Sequence, residues 1–142
     1  MDQSADTSDR ILSRVLVPVA TEQDARKTAE QLAAYDPEHV TVLHVVEKGE
    51  GVPDKTPVEH SEAVAQEAFD AVREVFPDAE TATAYERNIV EAIFETADEI
   101  DASAIAYRSR GGNRLVHFLS GDLSLKLVTE STRPVIALPR HE

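Results

Sequence analysis

The sequence predicts an α/β domain: a doubly wound, five-stranded parallel sheet with helices on both faces. Three observations carry the prediction. Short β-branched runs alternate with longer stretches of helical periodicity. The runs are nearly continuous in apolar residues, the mark of strands buried on both faces rather than one. A chain of 142 residues, 42% of them apolar, fits one domain with a real core.

Arg14-Val-Leu-Val-Pro-Val19 is the first such run, and Pro18 predicts that pairing stops near its end. Thr21 can cap the next segment, with Asp24 supplying the carboxylate of a capping box. Ala25, Ala29, Leu32 and Ala33 then repeat at helical spacing as far as Tyr35, and Asp36-Pro37 ends the helix. The second strand is His39 to Val46. A loop bearing Gly49, Gly51, Pro53 and Pro57 leads to a helix over Val58–Val75, stopped by Pro77. Thr81 to Tyr85 reads as the third strand. Asn88 caps a third helix whose inward face is Ala92, Ile93, Thr96, Ala97 and Ile100. Ala102 to Tyr107 is a buried strand, Arg108 to Asn113 a loop, Leu115 to Ser131 a helix, and Pro134 to Leu138 the last strand. Residues 1–12 read as a flexible leader and 13–140 as the single domain. Strands alternating with helices give an open parallel sheet. Ligands in such sheets sit beyond the C-terminal strand ends, which here means just after Val19, Val46 and Tyr107.

Charge narrows the function classes. The chain has 27 Asp and Glu against 14 Lys and Arg, a formal charge of −13, and no Cys. Without thiols there is no disulfide framework, zinc-thiolate site, iron–sulfur cluster or cysteine nucleophile. An acidic surface is a poor partner for nucleic acid or anionic membrane. No apolar run approaches the roughly 18–20 residues that span a bilayer, and a cytoplasmic location is expected. Only Lys27, Lys48, Lys55 and Lys126 are lysines, and carboxylates crowd helix faces (Glu62, Glu67, Asp70, Glu74; Glu91, Glu95, Asp98, Glu99). That surface resembles cytoplasmic proteins of salt-accumulating halophiles; an ordinary acidic protein is the alternative.

The charge reverses over residues 108–140, where Arg108, Arg110, Arg114, Lys126, Arg133 and Arg140 face only Asp122 and Glu130. Gly111, Gly112 and Gly121 lie in the same stretch, and glycines before a helix N-terminus can build an anion site from backbone N–H groups. The alternative is that these arginines pair with the protein's own carboxylates. No local signature suggests a Ser–His–acid triad, a phosphate-binding P-loop or a dinucleotide fingerprint. His39 and His44 do not converge on one metal, and His44 reads as a hydrogen-bonded interior residue. His60, His117 and His141 read as surface residues.

The spacing from Gly111 to Gly121 resembles the end of the nucleotide motif of the universal stress protein family, Gly-x2-Gly-x9-Gly-(Ser/Thr). Arg14–Val19, Val42-Leu-His-Val-Val-Glu47, Asn88-Ile-Val-Glu-Ala-Ile93 and Arg133–Leu138 resemble that family's first strand, second strand, third helix start and closing strand. The resemblance implies strand order 3-2-1-4-5 and a nucleotide site over Val19, Ala20, Val45, Arg108, Arg110, Gly111, Gly112, Arg114, Gly121, Asp122 and Leu123. It also implies a homodimer through Val135, Ile136, Ala137 and Leu138, with an unidentified protein partner.

Three positions depart from the pattern. Ala20 stands where nucleotide-binding members carry Asp, Arg108 where they carry glycine, and Asp122 where they carry Ser or Thr. An ionised Asp offers phosphate no donor and repels it. The expectation is therefore a non-enzymatic regulatory protein with impaired ATP binding and no cofactor, in which Arg108 pairs internally with Asp122. The alternative is an ATP or AMP binder that uses Arg108, Arg110 and Arg114 on phosphate in a modified pose.

Overall fold

A computed structural model describes residues 10–47, 58–86, 88–108 and 121–138. The elements run β1 (Val15–Val19), α1 (Glu22–Ala33), β2 (Val40–Glu47), α2 (Val58–Val75), β3 (Glu80–Glu86), α3 (Ile89–Ile100), β4 (Ala104–Arg108), α4 (Gly121–Glu130) and β5 (Val135–Leu138). All strand pairs are parallel and the sheet order is β3-β2-β1-β4-β5. The fold class is the one the sequence predicts, and the strand order is the one the family resemblance implies. The glycine loop and the start of the predicted fourth helix, residues 109–120, lie outside the described residues.

Two cores flank the sheet. Val15, Val17, Val19, Val40 and Val42 pack with Ala25, Ala29 and Leu32 of α1 and Ala68, Phe69 and Val72 of α2. Leu16, Leu43 and Ile105 pack on the other face with Ile89, Ala92, Ile93 and Ala97 of α3 and Leu127 of α4. The alternation of strand side chains assigns each residue to one layer. Of the apolar positions expected inward, Ala33 is exposed and Ile100 only half-buried.

Pro18 departs from expectation on one side only. β1 pairs with β2 throughout, from Val15↔Val40 to Val19↔His44, but with β4 only at Val15↔Ala104 and Leu16↔Ile105. The Val15 N–H donates to the His39 carbonyl, so odd-numbered donors of β1 face β2. The donor missing at Pro18 would have faced β4, and the ladder stops on that side. The ends of β1 and β4 are thus not hydrogen-bonded to one another where a doubly wound sheet forms its crevice.

Helix α3 ends in a left-handed turn. Asp101 has φ 55°, its N–H reaches the Ala97 and Asp98 carbonyls, and the Ala102 N–H also donates to Ala97. This is a Schellman ending, a position that favours glycine. Asp101→Gly should raise stability by about 0.5–1 kcal/mol, read as a higher urea midpoint. The lost ion pair with Arg133, 3.8 Å long, is 89% exposed on the Asp101 side and offsets little.

Candidate functional site

The C-terminal ends of β1, β2 and β4 and the N-terminus of α1 converge on one polar network. Thr21 caps α1 as predicted, its hydroxyl accepting from the Asp24 N–H at 3.1 Å. The Asp24 carboxylate does not close a capping box on Thr21; Oδ2 accepts from the Ala20 N–H at 2.9 Å. Asp24 belongs to the inward stripe of α1 with Ala25, Thr28, Ala29 and Leu32, so the carboxylate is buried. The helix N-terminus favours its charge.

Arg108 is the last residue of β4 rather than the first of a loop. Val15, Val17 and Val19 share the α1 face with Ala106, and strand alternation sends Arg108 to that face as well. Its Nη1 lies 3.8 Å from Asp24 Oδ1, with side-chain exposures of 11% and 2%. Its Nε is buried without a hydrogen-bond acceptor. Asp24 is thus a carboxylate beside Arg108 that the sequence reading did not name; the expected partner, the Asp122 side chain, lies outside the described residues.

His44, opposite Val19 in the β1–β2 register, completes the network. Its Nε2 donates to the Ala20 carbonyl at 3.1 Å. A carbonyl only accepts, so Nε2 carries the proton and Nδ1 is a bare acceptor, buried without a donor. Ala20 therefore has its N–H taken by α1 and its carbonyl by β2.

Burial pushes the His44 pKa below its ordinary 6.5, only partly opposed by the bond to Ala20. Below that value the unfolded chain binds a proton that the folded chain resists. Stability is therefore full above about pH 6.5 and falls as pH drops toward the lowered folded pKa. His44→Gln keeps a donor for Ala20 and removes the titration. The difference in unfolding free energy between wild type and His44→Gln should shift against wild type from pH 7.5 to 5.5, as followed by urea denaturation at each pH; a constant difference would contradict the buried neutral imidazole.

The remaining assigned residues divide into three groups. Val19 and Val45 are buried strand residues on opposite faces, and Ala20 is half-buried. Gly121, Asp122 and Leu123 open α4. Arg110, Gly111, Gly112 and Arg114 lie outside the described residues. A separate groove of about 520 Å3 lies at the opposite end of the sheet, among Pro37, His39, Phe76 and Ile100. Asp24, His44 and Arg108 converge at the C-terminal end instead, and the candidate site is there. Among the described residues no group of three or more His, Asp or Glu could hold a metal ion, and no helix is long and apolar enough to cross a membrane.

Sequence reasoning did not name Asp24 as a neighbour of Arg108. A signal was present: Asp24 directly precedes Ala25 on the inward stripe of α1, beside the strand end where Arg108 emerges.

The sequence model of the universal stress protein family matches residues 12–139. No curated protein matches the chain. Among solved structures it is similar to the hypothetical protein MJ0577, at 17% identity and TM-score 0.72, over 93% of this chain and 99% of that one. A universal stress protein from Archaeoglobus fulgidus in complex with dAMP is 22% identical at TM-score 0.60, over 90% and 98%. A universal stress protein in complex with cAMP is 18% identical at TM-score 0.64, over 92% and 98%. At these identities the structures speak for the fold.

Proposed function

The chain belongs to the universal stress protein family, and on that premise we propose that it is a non-enzymatic, dimeric regulatory protein of the stress response in which the usual ATP pose is impaired. The observation that carries the proposal is Ala20. The position offers no carboxylate to a nucleoside, and both its backbone polar groups are engaged by Asp24 and His44. The absence of a carboxylate at Ala20 also argues against nucleotide hydrolysis. The proposed setting is the cytoplasm of a salt-accumulating cell. Glu62, Glu67, Asp70, Glu91, Glu95 and Asp98 are exposed on helices, and concentrated salt relieves the self-repulsion of such a surface.

Thermal unfolding in molar KCl, with and without millimolar Mg-ATP, Mg-ADP or AMP, tests the reading. A ligand that binds the folded state at a hundred times its Kd stabilises by about 2.7 kcal/mol. The proposal expects no shift. A shift of several degrees favours the second reading, a nucleotide bound in a modified pose. That reading draws support from the dAMP and cAMP complexes of structural neighbours and from the acceptor-free Nε of Arg108.

The proposed dimer uses β5, which among the described residues pairs on one side only, with β4. The Pro134 carbonyl points to β4, where it accepts from Ile105. By alternation Val135 and Ala137 turn their backbone groups to the open edge, and open edges invite pairing. Ala137→Pro removes an outward donor and spares the β4 ladder. It should convert a dimer to a monomer in sedimentation equilibrium; a wild-type monomer would overturn the dimer.

A further inference from the structure

We infer that the Arg108–Asp24 pair is an autoinhibitory contact, in which Arg108 occupies the strand-end cleft as an internal ligand and holds it shut. The inference rests on the impaired-binding reading above and assigns the impairment to a residue.

The argument begins with the backbone. Pro18 ends β1–β4 pairing at Leu16, so the two strands are not hydrogen-bonded to one another toward their C-terminal ends. The sheet order reverses between these two strands, and in a doubly wound sheet the crevice just beyond such strand ends is where a ligand sits. Arg108 stands at the end of β4 and reaches the α1 layer, where its guanidinium meets Asp24. The side chain therefore runs from the end of β4 to the N-terminus of α1, beside the strand ends where a ligand would sit. It is 11% exposed, so it is largely enclosed by the protein.

The contact is loose for a buried arginine. At 3.8 Å the Nη1–Oδ1 approach is an ion pair without a direct hydrogen bond, and Nε has no acceptor. A guanidinium held for its own stability would make paired, hydrogen-bonded contacts with its carboxylate. Asp24 does not depend on Arg108 alone: it keeps the Ala20 N–H and the N-terminus of α1. The carboxylate side is therefore built to persist when the arginine leaves. This asymmetry fits a latch, with Asp24 as the fixed part and Arg108 as the moving part.

Closure lowers apparent affinity by the fraction of molecules that are open. Removing the arginine side chain removes that penalty. The test measures AMP and ATP affinity of the full chain by isothermal titration, for wild type, Arg108→Gly and the double variant Asp24→Asn/Arg108→Gly. The double variant covers the case in which the single one fails to fold, since Asn retains an acceptor for the Ala20 N–H and carries no buried charge. Either variant, once shown folded by circular dichroism, should bind AMP about tenfold or more tighter than wild type. Unchanged or weaker binding in the folded variants would overturn the latch; weaker binding would identify Arg108 as a nucleotide contact instead. Wild-type affinity tests the impaired-binding reading, and the ratio of variant to wild type tests the latch. Wild type that binds AMP tightly defeats the former; a ratio near one defeats only the latter.

Discussion

Asp24→Ala should lower the free energy of unfolding by about 3–5 kcal/mol, the range seen when one member of a buried ion pair is removed. The substitution takes away the acceptor of the Ala20 N–H and leaves the guanidinium of Arg108 enclosed without this carboxylate. Asp24→Asn keeps an acceptor for Ala20 and should lose less. Urea unfolding in molar KCl, with unchanged slope and lowered midpoint, would register the loss. A loss under about 1 kcal/mol for Asp24→Ala is the value for a solvated pair, and the picture of a closed cleft would fall with it. Arg108→Gly should be milder than Asp24→Ala, because Asp24 retains its bond to Ala20 and its place at the helix N-terminus.

Local and long-range features differ in how far they can be read from sequence. Burial on both sides of the sheet follows from uninterrupted runs such as Val15–Val19, because water can be excluded from every position only if helices lie above and below. The caps at Thr21 and Asn88 were legible for a similar reason: a short polar side chain before a helical stripe has one local partner, the N–H three residues on. Locality also explains what was missed. Arg108 and Asp24 are 84 positions apart in sequence, and their meeting depends on strand order and on the side of β1 that Pro18 leaves unpaired. Asp122 was the nearer carboxylate in the chain, and a reading along the chain favours it. The end to pairing that Pro18 predicts holds toward β4 but not toward β2, because a strand has two edges and a missing N–H affects one of them.

Leu16→Ala should destabilise the fold by about 3–4 kcal/mol without altering the candidate site. Leu16 is fully buried and packs with Leu43, Ile93, Ile105 and Leu127 on the α3 and α4 face of the sheet. It lies at the last β1–β4 register position, so neither strand can easily collapse to fill the space left by the missing methyl and methylene groups. Leu16→Val should lose about 1 kcal/mol, since most of the volume is kept. Asp24 and Arg108 are on the opposite face, and the sheet separates the two sets of partners. Leu16→Val and Asp24→Asn should therefore add within about 0.5 kcal/mol in a double-mutant cycle. Coupling well beyond that would mean that the core on one face sets the geometry of the polar network on the other. A change in nucleotide affinity on Leu16→Val alone would point the same way, because that substitution touches no group in the cleft. Additivity with unchanged affinity would leave the Ala20, Asp24, His44 and Arg108 network as a unit seated on a sheet whose other face serves only to hold it.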